Sequence, residues 1–543
     1  MLPRARTATA FLPAALLALA CTGSAPAPRR DDAVLRIGWA GSPDSLNPGV
    51  GKLSKAYTIF ELVYDSMFRL AESASVSPDG KTWTFRLRSG VAFHDGVPLT
   101  ARDVAFSYRL YAAHAEFPYL HSYTAQFESV EAPDASTVVL RLTRPIPDIE
   151  SELAFLYVVP EHVWAPHAAD AAEFDNAAMV GSGPFRLVEF RRDEFVRLAA
   201  NTARANRPPR VAGVLFQCFA NLDALVQALR TGQVDMITEM PVTAARALRG
   251  ESGIRLVTPS PVPPRVADIA IDQIAPERCP PGGVCSGHPA LRDRTVRLAL
   301  ALATDKRKIL DVVLLGLGVP GRTLIPAGLT RWYDADLADH PFDPGEANRL
   351  LDGAGYADTD GDGVREMPGG GRPLDFRLYR PTDSPSAPRF SELLSEMWAR
   401  IGVRTRQQPL DPTALADVRS PAYDYDLVLW SWESDPDPNL LLAAMTGDGI
   451  PSGANETGYA NPEYDALFAR QEVDLDPMHR IELVREMQRI VHRDVVYIVP
   501  FYPRAVQAYR TDRFAGWKSD ESPGELQTPE SLAAIVPLER RPS

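Results

Sequence analysis

Ser77-Pro78-Asp79-Gly80 runs into Lys81-Thr82-Trp83-Thr84-Phe85-Arg86-Leu87-Arg88, and this junction decides how the rest of the chain is read. Pro, Asp and Gly make a turn, and the residues after them alternate polar with apolar as a half-buried strand does. A second turn, Val91-Ala92-Phe93-His94-Asp95-Gly96, leads to Thr100-Ala101-Arg102-Asp103-Val104-Ala105-Phe106. There Thr100 and Asp103 have the spacing of a capping box that opens a helix. The unit is therefore turn, strand, turn, helix.

On the N-terminal side, Leu35-Arg36-Ile37-Gly38-Trp39 alternates like a strand and stops at Gly41-Ser42-Pro43-Asp44, a loop rich in turn formers. Such strand ends are good places for ligand contact. Ile59 to Leu70 is apolar at helical spacing. Far downstream, Asp426-Leu427-Val428-Leu429-Trp430 reads as a buried strand that breaks into Ser431-Trp432-Glu433-Ser434-Asp435-Pro436-Asp437-Pro438. Asp437-Pro438 is expected to start a helix, with Asp as N-cap and Pro at the first helical position. Asp435 has no such task. It is either an ordinary turn aspartate or a fixed carboxylate that meets a cation in a partly dry site.

At 543 residues the chain exceeds what one core supports, so two or three lobes are expected. Its 49 prolines predict many fixed turns rather than long helices. The net charge of −13, with no basic cluster, argues against a nucleic-acid partner. Arg4 and Arg6 precede an apolar stretch from Ala8 to Ala20 that is too short to span a bilayer, as in an export signal. Ala18-Leu19-Ala20-Cys21 resembles a bacterial lipobox, whose cysteine is diacylated; simple cleavage after Ala20 is the other reading. Residues 21–31 then read as a flexible tether. Cys279 and Cys285 flank a Pro- and Gly-rich turn in a chain bound for an oxidising compartment, and a disulfide is expected. A metal site there lacks ligands, with only His288 near. Cys218 reads as a buried strand thiol.

The run from Ser77 to Tyr108, with its DG turn, WTFRLR strand, GVAFHDG turn and TARDVAFS helix start, resembles the family 5 solute-binding proteins of ABC transporters, the oligopeptide, dipeptide and nickel binding cluster. The resemblance extends over Val180-Gly181-Ser182-Gly183-Pro184-Phe185, Ala224 to Asp235, Asp343-Pro344 through Gly355-Tyr356, and Asn461-Pro462-Glu463-Tyr464-Asp465. It implies an α/β, periplasmic binding protein-like fold of the class II type with three discontinuous lobes. Lobe I would comprise 32–50, 179–261 and 500–543, lobe II 51–178, and lobe III 262–499, with the ligand cleft between lobes I and III. His94 would belong to a structural turn rather than to a metal or acid–base site. Family members carry an extra turn where Leu70 here runs directly into Ala71-Glu72-Ser73, so a shortened loop is expected in lobe II.

The implied activity is capture of a solute outside the membrane and its delivery to a permease, with neither catalysis nor a cofactor. The implied partners are a peptide or other small ligand, permease subunits and, through Cys21, the membrane, with the protein a monomer at the cell surface or in the periplasm. Asp435 falls where peptide-binding relatives pair an aspartate with the ligand's α-ammonium, and Trp432, Glu433 and Ser434 would accompany it. Arg380 lies near the position that holds the ligand carboxylate in dipeptide-binding relatives, and Gly41 and Ser42 would supply backbone contacts. Nickel chelates, haem and oligosaccharides are the other solutes bound within this framework.

Two other function classes stay open on the residues. Glu433 with Asp435 has the two acids a glycosidase needs, and a binding fold can serve a sensor instead of a permease. No G-x-S-x-G elbow, H-E-x-x-H or P-loop is present. Asp358-Thr359-Asp360-Gly361-Asp362-Gly363 has the first half of a calcium loop, but Gly369 stands where the bidentate Glu belongs, which favours an acidic hairpin with no metal.

Overall fold

The computed structural model describes residues 33–117, 119–147, 149–204, 208–258, 264–382, 384–517 and 524–538. The export segment, Cys21 and the tether lie outside these residues.

Three large sheets organise the chain. The first has seven strands, in the spatial order Ile254–Val257, Gln507–Arg510, Met236–Ile237, Val34–Ala40, Gly213–Phe219, Phe195–Ala200 and Phe185–Arg191. Val34–Ala40 runs parallel to Gly213–Phe219 and brings Trp39 opposite Cys218. The Trp39 ring stacks on Phe216 at 4.4 Å, and its indole N–H donates to the half-buried Cys218 Sγ at 3.4 Å. Gly38 is needed at this strand because a Cβ there would lie 2.5 Å from Leu225 of helix Leu222–Thr231. Asp235, almost fully buried, is held by Arg36 and Arg513, both at 2.7 Å, and so fastens the C-terminal stretch to the N-terminal strand.

The second sheet is antiparallel, in the order Ala71–Val76, Thr82–Leu87, Thr137–Leu142 and Phe127–Glu131. Gly80 takes the left-handed φ of +70° that the turn before Thr82–Leu87 requires. Thr100 and Asp103 form the expected capping box on helix Ala101–Ala113. His94 is structural, since its ring nitrogens bond the backbone on either side of Ser182, with Nε2 at 3.1 Å from Gly183 O and Nδ1 accepting from Gly181 N at 3.2 Å. Leu70 closes the short helix Met67–Leu70, and strand Ala71–Val76 starts at the next residue.

The third sheet has the order Gly318–Pro320, Tyr497–Pro503, Arg265–Ile271, Leu427–Glu433, Asp375–Pro381 and Arg404–Leu410. Strand Tyr497–Pro503 continues past position 499, where the family pattern would end the third lobe. Leu427–Glu433 lies inside this sheet, antiparallel to Arg265–Ile271 and parallel to Asp375–Pro381. Leu427 and Leu429 enter the core on one face and Val428 the core on the other, which is why this segment reads as an unbroken apolar run. Asp426, fully buried at the strand's start, accepts from His288 N at 2.8 Å and from Arg377 N and Nε at 2.7 and 3.2 Å. The loop before His288 carries the Cys279–Cys285 disulfide, with a Cα separation of 6.0 Å.

Several of the prolines start helices. Asp343-Pro344, Asp411-Pro412, Asn461-Pro462, Asp476-Pro477 and Thr528-Pro529 each pair a side-chain cap with a proline in the first turn, where its missing N–H costs nothing. Pro477–Arg493 nonetheless forms a helix of 17 residues. Asp437-Pro438 departs from the expected pattern, because helix Asn439–Ala443 has Pro438 at its cap position and no side-chain cap. The Asp437 carboxylate instead meets the nearly buried Arg480, at 2.9 Å through Nη2, and also accepts from Asn439 N. A guanidinium without water needs that counter-charge more than an exposed helix start needs a cap. Among the described residues no helix is long and apolar enough to cross a membrane.

Candidate ligand-binding site

A cavity of about 460 Å³ lies where the three sheet units meet. Helix Ser54–Val63 forms one wall. Ala56, Ile59, Phe60 and Val63 are buried in the core, and Ser54, Tyr57, Thr58 and Glu61, at helical spacing, face the cavity. Tyr119 and Tyr123, one turn apart at helix Leu120–Thr124, extend this wall. Tyr57 meets Tyr119 edge-on at 6.3 Å, and Tyr123 stacks on Phe155 at 5.7 Å. The first sheet adds Trp39, Thr238 and Glu239, and the C-terminal stretch adds Glu525, Gln527 and Thr528. The third sheet adds Arg265, Glu433 and Asp435.

The charges sort into paired and unpaired. Arg265 and Glu433 are opposite one another on neighbouring strands and form an ion pair at 2.8 Å. Burial works against the Arg265 charge, but Glu433 and Glu525 outweigh it and its pKa is raised. Lys55 pairs with Glu239 at 3.2 Å, and Ala40 N also donates to that carboxylate at 3.0 Å. Asp435 has no ion pair among the described residues; the Tyr123 hydroxyl stands near enough to favour its charged form. Burial, with Asp437 and Glu433 adding repulsion, pushes its pKa up to about 6 against the pull of Tyr123. Burial likewise lifts Glu61 to about 7, with Arg69 opposing and Glu530 and Glu525 assisting, and raises Glu525. Carboxylates kept dry without a cation are poised to receive one.

Of the residues the sequence nominated, Glu433 and Asp435 line the cavity. Trp432 and Ser434 point to the other side of the strand, because successive side chains alternate. The Trp432 indole N–H donates to Glu456 Oε1 at 3.1 Å, and Ser434 is fully buried, with its hydroxyl on Asp435 O at 2.9 Å. Arg380, half-buried on strand Asp375–Pro381, is not part of the cavity wall. Neither are Gly41, whose N–H is spent on Phe219 O at 3.2 Å, and Ser42, whose hydroxyl accepts from Asp193 N at 3.2 Å. The first strand reaches the cavity through Trp39 instead.

Glu61, Tyr123, Arg265 and Glu525 escaped the sequence reading. Glu61 and Tyr123 carry a usable signal, the polar stripe of an otherwise buried helix and two tyrosines at i, i+4 spacing. Arg265 and Glu525 carry none, since only strand register and the return of the C-terminal stretch bring them here.

The acidic turn lies apart from this cavity. Asp358, Asp360, Asp362 and Glu366 place carboxylate oxygens within 4.8 Å of one another. These groups serve the turn itself. Asp358 accepts from Gly361 N and Gly363 N at 2.7 and 2.9 Å, Asp362 from Val364 N at 2.8 Å, and Glu366 from Thr359 N at 2.7 Å.

Comparison with known proteins places this architecture. Protein XP55 of Streptomyces lividans is 28% identical over 475 residues, covering 85% of this chain and 82% of that protein. The oligopeptide-binding protein AppA of Bacillus subtilis is 24% identical over 442 residues, covering 80% and 78%. The crystal structure of the ABC transporter substrate-binding protein CtaP from Listeria monocytogenes superposes with a TM-score of 0.79 at 23% identity, over 93% of this chain and 99% of that one. The profile of bacterial extracellular solute-binding proteins, family 5, matches residues 68–452, and the chain belongs to that family of binding proteins.

Proposed function

We propose that this protein is the capture component of an ABC import system for peptides or another small amine-bearing solute. The observation that carries the reading is Asp435, a carboxylate that lines a cavity together with Tyr123 and has no ion pair among the described residues. An ammonium group entering there gains a charge-assisted hydrogen bond and relieves the desolvated aspartate, an interaction worth about 1.5 to 3 kcal/mol. The oligopeptide-binding relative and the likeness to an ABC transporter substrate-binding protein support the same class of cargo and the same use.

Binding works without chemistry. Solute enters between the lobes, closure brings Tyr123 onto Asp435, and the closed form docks on a permease. The mature protein is exported, held at the membrane through a diacylated Cys21 and its tether, and acts as a monomer. Lobe I is assigned to 32–50, 179–261 and 500–543, lobe II to 51–178 and lobe III to 262–499, with the last boundary moved past Pro503 because strand Tyr497–Pro503 pairs within the third sheet.

Mass spectrometry of solute released from gently purified protein tests the reading directly. The expected cargo carries a primary amine or guanidinium group. Titration calorimetry with that cargo should then show Asp435→Ala binding at least ten-fold more weakly, about 1.4 kcal/mol. A neutral sugar or a haem as the released solute, or equal affinities for the two proteins, would sink it.

A further inference from the structure

The cavity holds more negative charge than one ammonium group can neutralise. Arg265 is tied to Glu433 and Lys55 to Glu239, while Asp435, Glu61 and Glu525 have no ion pair among the described residues. These acids occupy two places. Asp435 lies two residues beyond strand Leu427–Glu433, whereas Glu61 lies on helix Ser54–Val63, where Arg69 donates to Glu61 O at 2.9 Å and pairs with Glu530 at 2.9 Å. Glu433 lies within electrostatic reach of both Asp435 and Glu525. The wall alongside is aromatic, with Tyr57, Tyr119, Tyr123 and Phe155 offering ring faces to an alkyl chain or a cation. A free carboxylate on the solute finds no guanidinium or ammonium group to itself except the exposed Lys52.

We infer that the cavity selects solutes with two positive charges and no free carboxylate, one cation on Asp435 and the other on Glu61 with Glu525. Diamines, polyamines and C-terminally blocked basic amino acids or peptides are the chemical class. This rests on the amine reading of the site and narrows it. A zwitterionic dipeptide would satisfy Asp435, leave the second acidic end unmatched and bring a carboxylate into a negative cavity. A monoamine would leave the second end unmatched in the same way.

Titration calorimetry of the ligand-free mature protein with four probes tests this: 1,5-diaminopentane, pentylamine, lysine amide and alanyl-alanine. The diamine and lysine amide should bind at least ten-fold more tightly than either of the others. In Glu61→Gln the advantage of diamine over pentylamine should shrink at least three-fold. A melting curve without ligand establishes that this variant folds, and the comparison of the four probes on the unaltered protein stands without it. Alanyl-alanine or pentylamine binding as tightly as the diamine would overturn the dication inference and leave the amine reading in place. A diamine advantage that survives Glu61→Gln would overturn the assignment of the second end. No binding by any probe would remove both readings.

Discussion

The two ends of strand Leu427–Glu433 each carry an aspartate, and they are built in opposite ways. Asp426 before the strand is fully buried and saturated, with Arg377 and two backbone N–H groups on its oxygens. Asp435 beyond it is half-buried, shares the cavity wall with Tyr123 and has no ion pair among the described residues. The first stitches two strands and a disulfide-bearing loop together. The second keeps a charge out of water with its partner missing, an arrangement that costs stability unless a ligand supplies the cation. A carboxylate's role is thus read from its partners more than from its burial.

The largest effect expected from breaking this contrast is at Asp426. Asp426→Ala leaves the partly buried Arg377 with only Asp424 and Ser286 as side-chain partners, and should cost about 3 kcal/mol, seen as a lowered denaturation midpoint. Asp435→Asn should do the reverse. Ligand affinity falls at least ten-fold, while the unliganded protein melts at the same temperature or slightly higher, since a desolvated charge has been removed. A strongly lowered melting point in Asp435→Asn would place it with Asp426 as a structural group.

The pH dependence sharpens the same contrast. With its pKa at about 6 in the folded protein, above the usual carboxylate range, Asp435 binds its proton more tightly folded than unfolded. Its contribution to the stability of the unliganded protein is therefore present at pH 4 and lost as pH rises through 6. Glu61, at about 7, acts in the same sense at slightly higher pH. Cation binding runs the other way, weakening as pH falls through 6, and Asp435→Asn should flatten that part of the profile in calorimetry across pH 5 to 8.

The smallest effect is expected at a third kind of carboxylate. Glu472 of the third lobe meets Arg144 of the second at 2.8 Å, and Leu475 packs close to Gly80 beside them. This partly exposed contact joins the second sheet unit to the third, and such pairs contribute about 0 to 1 kcal/mol. Arg144→Ala should weaken ligand binding by no more than a few-fold, chiefly through faster dissociation as the closed form loses a contact. A ten-fold loss would mean that the contact is a principal determinant of closure.

Much of the fold was legible along the chain because its signals are local. The turn at Ser77 to Gly80, the capping box at Thr100 and Asp103, and the apolar run after Asp426 depend on neighbours a few residues away. The site was legible only in part. Asp435 and Glu433 line the cavity, whereas Trp432, grouped with them in the sequence, is turned away by strand alternation toward Glu456. Asp437 read as a helix cap because Arg480, which takes its carboxylate, is 43 residues away.

By itself the sequence determined where many strands and helices begin, which motifs mark the family and that Glu433 and Asp435 follow one another at the end of a buried strand. Tertiary structure decided which of those carboxylates are neutralised. Arg265 reaches Glu433 across a separation of 168 residues because the two strands pair in that register, and no cation reaches Asp435 by the same route. Charge pairing acts over a few ångströms of space and is indifferent to distance along the chain, so the chemistry of the cavity exists only once the three sheets have met.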